Sequence, residues 1–149
     1  MKVVFMRGLS ASGKSTYAEK LAADSEFVRV NMDDIRAMFG VPFTRANDAL
    51  ALEVQKGAVL AALRVGRDVV VDNLHLHSKW PRKLADAIVG AGFDVDYSIV
   101  DFSDVPLETC IERNALRSGP ITEGIIRQQA KQLDDLRNKG LWTVEDLPT

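Results

Sequence analysis

The stretch Gly8-Leu9-Ser10-Ala11-Ser12-Gly13-Lys14-Ser15 sets two glycines, a lysine and a hydroxyl at the spacing of a phosphate-binding loop, with Thr16 following. Each residue type answers a physical need. Glycine lets the backbone curl so that successive N–H groups converge on phosphate oxygens. A helix starting at the loop adds the positive end of its dipole. Lys14 supplies a point charge for β- and γ-phosphates, and the Ser15 hydroxyl one ligand position for Mg²⁺. Gly8, Ser10, Ala11, Ser12, Gly13, Lys14, Ser15 and Thr16 are therefore candidates for holding a nucleoside triphosphate such as ATP. The alternative is a flexible Gly/Ser turn with an exposed lysine. An apolar run before the loop and a helical stretch after it argue for the site.

Three classes of chemistry use a bound triphosphate. A guanine-nucleotide switch reads its base with N-K-x-D, and Asn138-Lys139-Gly140-Leu141 fails at the fourth position. A remodelling ATPase usually places glutamate after the acidic residue of its second phosphate strand, whereas Asp72 is followed by Asn73. A kinase needs a base beside the acceptor hydroxyl and arginines on the transferred group. Asp33, in Asn31-Met32-Asp33-Asp34-Ile35-Arg36, is a candidate base, with Asp34 its competitor. Arg36 shares its helical face and could grip an acceptor phosphate. The competing reading makes Asp33 a helix cap paired with Arg36 on the surface. Asp72, ending Val69-Val70-Val71, could order a magnesium-bound water or steer Lys14, or simply end a strand in a turn. Arg113 and Arg117, spaced i,i+4 with no acidic residue three or four positions away, suggest a phosphate-binding lid hinged at Ser118-Gly119-Pro120 rather than a solvated basic face.

The elements that must position these groups follow from periodicity. Apolar strands are expected at Lys2 to Met6, Phe27 to Asn31, Asp68 to Asp72 and Val95 to Phe102. Helices are expected from Gly13 to about Ala23, Asp33 to Phe39, Ala46 to Arg64, Pro81 to Val89, Pro106 to about Leu116, and Thr122 to Asn138. Gly40-Val41-Pro42 breaks the second helix. The tail from Gly140 to Thr149 carries no clear signal. Alternating strands and helices imply an α/β three-layer fold with a mostly parallel sheet. If the sheet has the kinase-type order 2-3-1-4, Asp33 and Asp72 would both end near Lys14.

Composition bounds the rest. At 149 residues the chain is one domain's worth, spanning 1–149 with a lid at about 106–120. No apolar stretch approaches the roughly 20 residues a bilayer needs, and no secretory leader is visible. A single cysteine, Cys110, excludes an internal disulfide and reads as a packed core residue. A cytoplasmic setting fits. A formal net charge of −2 excludes gripping duplex DNA by bulk positive charge, but not touching one strand end. His75 and His77 alternate as on an extended segment, and without a third ligand they read as a polar loop. Trp80 and Trp142 are expected to pack, although either could sit near a base. Asp94-Val95-Asp96 begins an acid-phosphatase pattern that Tyr97 breaks.

Taken together, Gly8 to Thr16, Asn31 to Arg36, Val71-Asp72-Asn73 and Glu112 to Gly119 resemble the kinase domain of phage-type polynucleotide 5′-hydroxyl kinases, within the P-loop kinases. The resemblance runs from about Lys2 to Arg137. It implies transfer of the γ-phosphate of ATP, with Mg²⁺, to the 5′-OH end of DNA or RNA, and a role in end repair. It implies Lys14 and Ser15 at the ATP–Mg²⁺ end, Asp33 as general base, Arg36 on the acceptor phosphate and Asp72 as an essential support. Arg117 would be the lid arginine on the transferred group, and Arg113 would contact the nucleotide. Departures are a missing fused 3′-phosphatase, Met32 where a basic residue often stands, a longer stretch after Asp72 (Asn73 to Trp80), and a shorter Val41 to Asp48. The alternatives are a kinase for a small hydroxylated metabolite (a sugar acid, an antibiotic or a nucleotide sugar) and a nucleotide-binding module without chemistry. A homo-oligomer is compatible with the sequence.

Overall fold

Val3 to Met6 and Val69 to Val71 are apolar at every position, so a strand made of either needs cover on both faces. The computed structural model describes residues 1–24, 27–40, 44–119 and 121–149. The elements are β1 (Lys2–Arg7), α1 (Lys14–Asp24), β2 (Phe27–Val30), α2 (Met32–Met38), α3 (Arg45–Arg64), β3 (Asp68–Val71), α4 (Lys79–Gly90), β4 (Asp96–Asp101), α5 (Leu107–Ala115) and α6 (Glu123–Lys139), then a 3₁₀ turn at Val144–Asp146. The sheet order is β2-β3-β1-β4, with every described pairing parallel. Expected order and strand direction are both borne out.

Alternation along the strands sorts the core into layers. Val3, Phe5, Val69 and Val71 point to one face, against Val59 and Leu63 of α3 and Leu84 and Ile88 of α4. Val4, Met6 and Val70 point to the other, against Ala18 of α1. Cys110, Ile126 and Leu133 of α5 and α6 build a third cluster with Leu9 and Leu76. Cys110 is thus a packed core residue, as expected. No helix among the described residues is long and apolar enough to cross a membrane.

Two readings need correction, and the tail gains a place. The helix expected from Pro81 begins two residues earlier, at Lys79. Proline is tolerated there because first-turn N–H groups have no intrahelical partner. The helix carrying Arg113 ends at Ala115, so Arg117 lies beyond it and the two arginines do not share a helix face. The tail, which carries no periodic signal, is anchored: Trp142 and Leu147 are buried in the main core. The Trp142 indole N–H donates to the His75 carbonyl at 2.7 Å, and its own carbonyl accepts from Arg7 Nη1 at 2.8 Å. Arg7 also meets Asp101, its register partner on β4, at 2.7 Å. Val41-Pro42 of the expected break and Pro120 of the expected hinge lie outside the described residues.

Because Trp142 fills core space and holds the tail against β1, Trp142→Ala should cost about 3–5 kcal/mol of folding stability, measured as a lowered urea midpoint.

Candidate active site

The parallel sheet delivers the carboxyl ends of β1, β2 and β3 to one edge, and a cavity of about 970 Å³ opens there. It is lined by the loop residues Ser10 to Thr16 and by Asp33, Arg36, Asp72, Arg113 and Arg117. Of the candidate loop residues, Gly8 lies just outside that lining. Its role is steric: a Cβ on Gly8 would sit 2.8 Å from Ser12 Oγ and 2.9 Å from Phe102 Cβ. Gly13 has φ +100°, a conformation that side chains rarely adopt. The loop is braced from both sides. Gly8 N–H donates to the Leu74 carbonyl at 3.0 Å. Gln129 of α6 accepts from Ser10 N–H through Oε1 and donates to Ser10 Oγ through Nε2, each at 3.0 Å.

Lys14 is buried, and its ammonium donates to the Leu9 carbonyl at 3.2 Å. Burial pulls it below the usual lysine range, while the carboxylates of Asp72 and Asp33 pull it back up. Both acids line the same cavity as the lysine.

Asp72 is fully buried. Its Oδ2 accepts from Arg29 Nε at 2.9 Å and Nη2 at 2.8 Å. Its Oδ1 has no hydrogen-bond partner. Arg29 also meets Asp34 at 2.6 Å and reaches toward Glu19 at 3.9 Å. Asp34 is thereby paired away from the role of a base. The stitching continues through asparagines: Asn31 Nδ2 donates to the Asp72 carbonyl at 2.6 Å, and Asn73 Oδ1 accepts from Met32 N–H at 3.0 Å. Asn73 Nδ2 donates to Gln55 on α3 at 2.7 Å.

Asp33 does not cap α2. Asn31 does, accepting from Asp34 N–H at 2.9 Å. Asp33 stands in the first turn with its carboxylate three-quarters exposed (76%). Arg36 bridges Asp33 at 3.2 Å and Asp48 at 3.0 Å, which holds its guanidinium on the cavity wall. Arg113 Nη1 donates to the Ser12 carbonyl at 3.0 Å, and Arg117 Nε donates to Asn114 Oδ1 at 3.1 Å. Neither pairs with a carboxylate among the described residues, and both line the cavity despite their different elements.

Both histidines lie on the loop between β3 and α4, but only His77 is exposed there. His75 is buried, with φ +47° and its ring edge-on to Phe5 at 5.2 Å. Its Nδ1 lies 2.6 Å from the Met6 carbonyl, so the neutral ring carries its proton there. His77 is exposed, and no group of three metal-binding side chains occurs among the described residues. Trp142 packs as expected, whereas Trp80 is exposed at the cavity.

Arg29, Gln55 and Gln129 escape a reading by motif. Arg29 leaves one trace, a charge inside an apolar strand. Gln55 and Gln129 leave none, because a glutamine on a helix face looks solvated until its neighbours are known.

Fold and loop define a P-loop domain of the kinase architecture. The sequence pattern of the family described as AAA domain matches residues 3–137, and the chain belongs to that family. A protein of Autographa californica nuclear polyhedrosis virus, named as a candidate bifunctional polynucleotide kinase/RNA ligase, is 27% identical over 92% of this chain and 21% of its own length. A chain of the Pnkp1/Rnl/Hen1 RNA repair complex superposes with TM-score 0.75 at 23% identity, over 93% of this chain and 45% of that one. The chain thus spans about a fifth of the viral relative and under half of the repair-complex chain. A gluconokinase from Sinorhizobium meliloti 1021 superposes with TM-score 0.59 at 21% identity, over 93% and 78%. The Mycobacterium tuberculosis APS kinase CysC gives 0.57 at 23%, over 92% and 97%.

The buried carboxylate and the buried imidazole can each be probed by denaturation. Arg29→Met strands the Asp72 charge and should cost about 3–5 kcal/mol. The double variant with Asp72→Asn should recover most of that loss by urea denaturation. His75 is held down from 6.5 to about 4 by burial. Between those values the unfolded chain binds the extra proton, so stability should fall as pH drops through the window, by about 3 kcal/mol. Denaturation at pH 7 and 4.5 should show a smaller pH difference in His75→Gln.

Proposed function

We propose that this chain is a kinase domain that transfers the γ-phosphoryl group of ATP to the 5′-hydroxyl end of a polynucleotide, in nucleic-acid end repair. The observation that carries the reading is the single cavity shared by Lys14, Asp33, Arg36, Asp72, Arg113 and Arg117. The 27% likeness to the viral kinase/ligase and the fold shared with the RNA repair chain support it.

In this reading the acceptor hydroxyl enters beside Asp33, whose exposed carboxylate takes its proton. The hydroxyl oxygen bonds to the γ-phosphorus while the bond to the β–γ bridging oxygen breaks, and ADP leaves. Lys14, with Arg117 of the lid, offsets charge on the transferred group, and Arg113 contacts the donor nucleotide. Arg36, fixed by Asp33 and Asp48, offers a cation to the acceptor's own phosphate. The residues fit a Mg²⁺ ion: Ser15 lines the cavity, and the bare Oδ1 of buried Asp72 is an acceptor that a metal-bound water would satisfy. Ser15 would hold the ion, which when bound supplies charge for the β- and γ-phosphates.

A second reading, phosphorylation of a small hydroxylated metabolite, is favoured by the fold shared with gluconokinase and APS kinase. Label transfer from γ-labelled ATP with Mg²⁺ to a 5′-OH oligonucleotide, beside the same strand bearing a 5′-phosphate, separates the two. Labelling of the 5′-OH strand alone is expected. Asp33→Ala should lower it by 10²-fold or more, on the order of a lost general base. Arg36→Ala should raise the KM for the oligonucleotide. Intact ATP binding with no labelling of either strand overturns the polynucleotide reading.

A further inference from the structure

Trp80 is a large aromatic side chain that the fold leaves unburied. It is the second residue of α4, 42% exposed, and lines the same cavity as Lys14 and Asp33. The ammonium groups of Lys79 and Lys83 each lie 4.8 Å from its ring centroid. Beyond it a second cavity of about 860 Å³ opens, sharing Leu76 and His77 with the first.

That second cavity is charged. Lys79, Arg82, Lys83 and Lys139 line it against Asp86 and Asp146. Four cations thus face two carboxylates, in a chain whose formal net charge is −2. Asp146 already accepts from Thr143 N–H at 2.8 Å. None of the four cations is ion-paired with a described residue. Trp80 lines the first cavity, and the two lysines on its ring line the second. Single-stranded nucleic acid is held in this way, by bases stacking on an aromatic face while cations follow the backbone. A metabolite small enough to fit beside Asp33 needs neither feature.

We infer that Trp80 stacks a base near the 5′ end of the acceptor strand, and that the second cavity leads the strand's phosphates away past Arg82, Lys83 and Lys139. The inference rests on the polynucleotide reading and adds the subsite that reading leaves undefined. Stacking on an indole outweighs an exposed cation–π contact. An arriving base therefore displaces a lysine from the ring, and that lysine turns to a phosphate oxygen. The connection between β3 and α4, residues 72–78, carries the indole to this position.

Fluorescence and kinetics test this directly. The chain has two tryptophans, and Trp142 is buried, so Trp80 is the exposed reporter. A 5′-OH hexanucleotide should quench wild-type emission, and Trp80→Phe should abolish that response. Trp80→Ala should raise the KM for the hexanucleotide roughly 5- to 150-fold with the KM for ATP as control, and Trp80→Phe should recover most of it. Combined Lys79→Ala, Arg82→Ala and Lys83→Ala should flatten the salt dependence, by about 0.7 in log–log slope for each phosphate the variant ceases to neutralise. Wild-type transfer with an unchanged KM in Trp80→Ala overturns the stacking assignment alone. Absence of wild-type transfer to any 5′-OH strand removes the polynucleotide reading, and this inference with it.

Discussion

A carboxylate with no access to solvent has to be compensated, and the site is organised around the one at Asp72. Arg29 binds it through two nitrogens, and Lys14 lines the same cavity. Taking such a charge out of water costs several kcal/mol unless geometry and hydrogen bonding offset it. Here the offset comes from separate strands. Arg29 stands in β2, Asp72 directly follows β3, and Lys14 opens α1 after the loop that follows β1. Satisfying one carboxylate therefore fixes three strand ends relative to one another. The oxygen that Arg29 does not reach has no hydrogen-bond partner among the described residues.

The parallel sheet makes this convergence possible. In the order β2-β3-β1-β4 all carboxyl ends lie on one edge, so loops far apart in sequence become neighbours. The register pairs Val30 with Val71 and Phe5 with Val71, which sets Asn31 beside Asp72 and both beside the loop. Apolar side chains on both strand faces hold that register, since a one-residue slip would exchange the contents of two cores.

Support for the loop also comes from the two helices that follow the sheet. Gln129 grips Ser10 from α6, and Arg113 holds the Ser12 carbonyl from α5. The tail does the same for the opposite side. Trp142 meets the carbonyl of His75, and the ring of His75 meets that of Met6. These two bonds tie His75, in the segment that leads into α4, to the tail and to β1.

Much of this was legible in the sequence, because local chemistry carried it. The loop residues Gly8 to Thr16 need specific types at specific spacing, and periodicity marks the strands and most helix spans. With the strand order typical of P-loop kinases, those elements already bring Lys14, Asp33 and Asp72 to one edge of the sheet. Tertiary structure decided what depends on distant neighbours. Asn31 rather than Asp33 caps α2, since the cap also has to reach Asp72. Arg117 stands beyond α5 yet still lines the cavity. Asp34 is occupied by Arg29, and His75 is buried although it lies on a loop. The tail packs without any periodic signal, because a few side chains on irregular backbone leave no repeat to read. A charge or an amide has the same local sequence whether it meets water or a buried partner, and only the folded chain distinguishes the two.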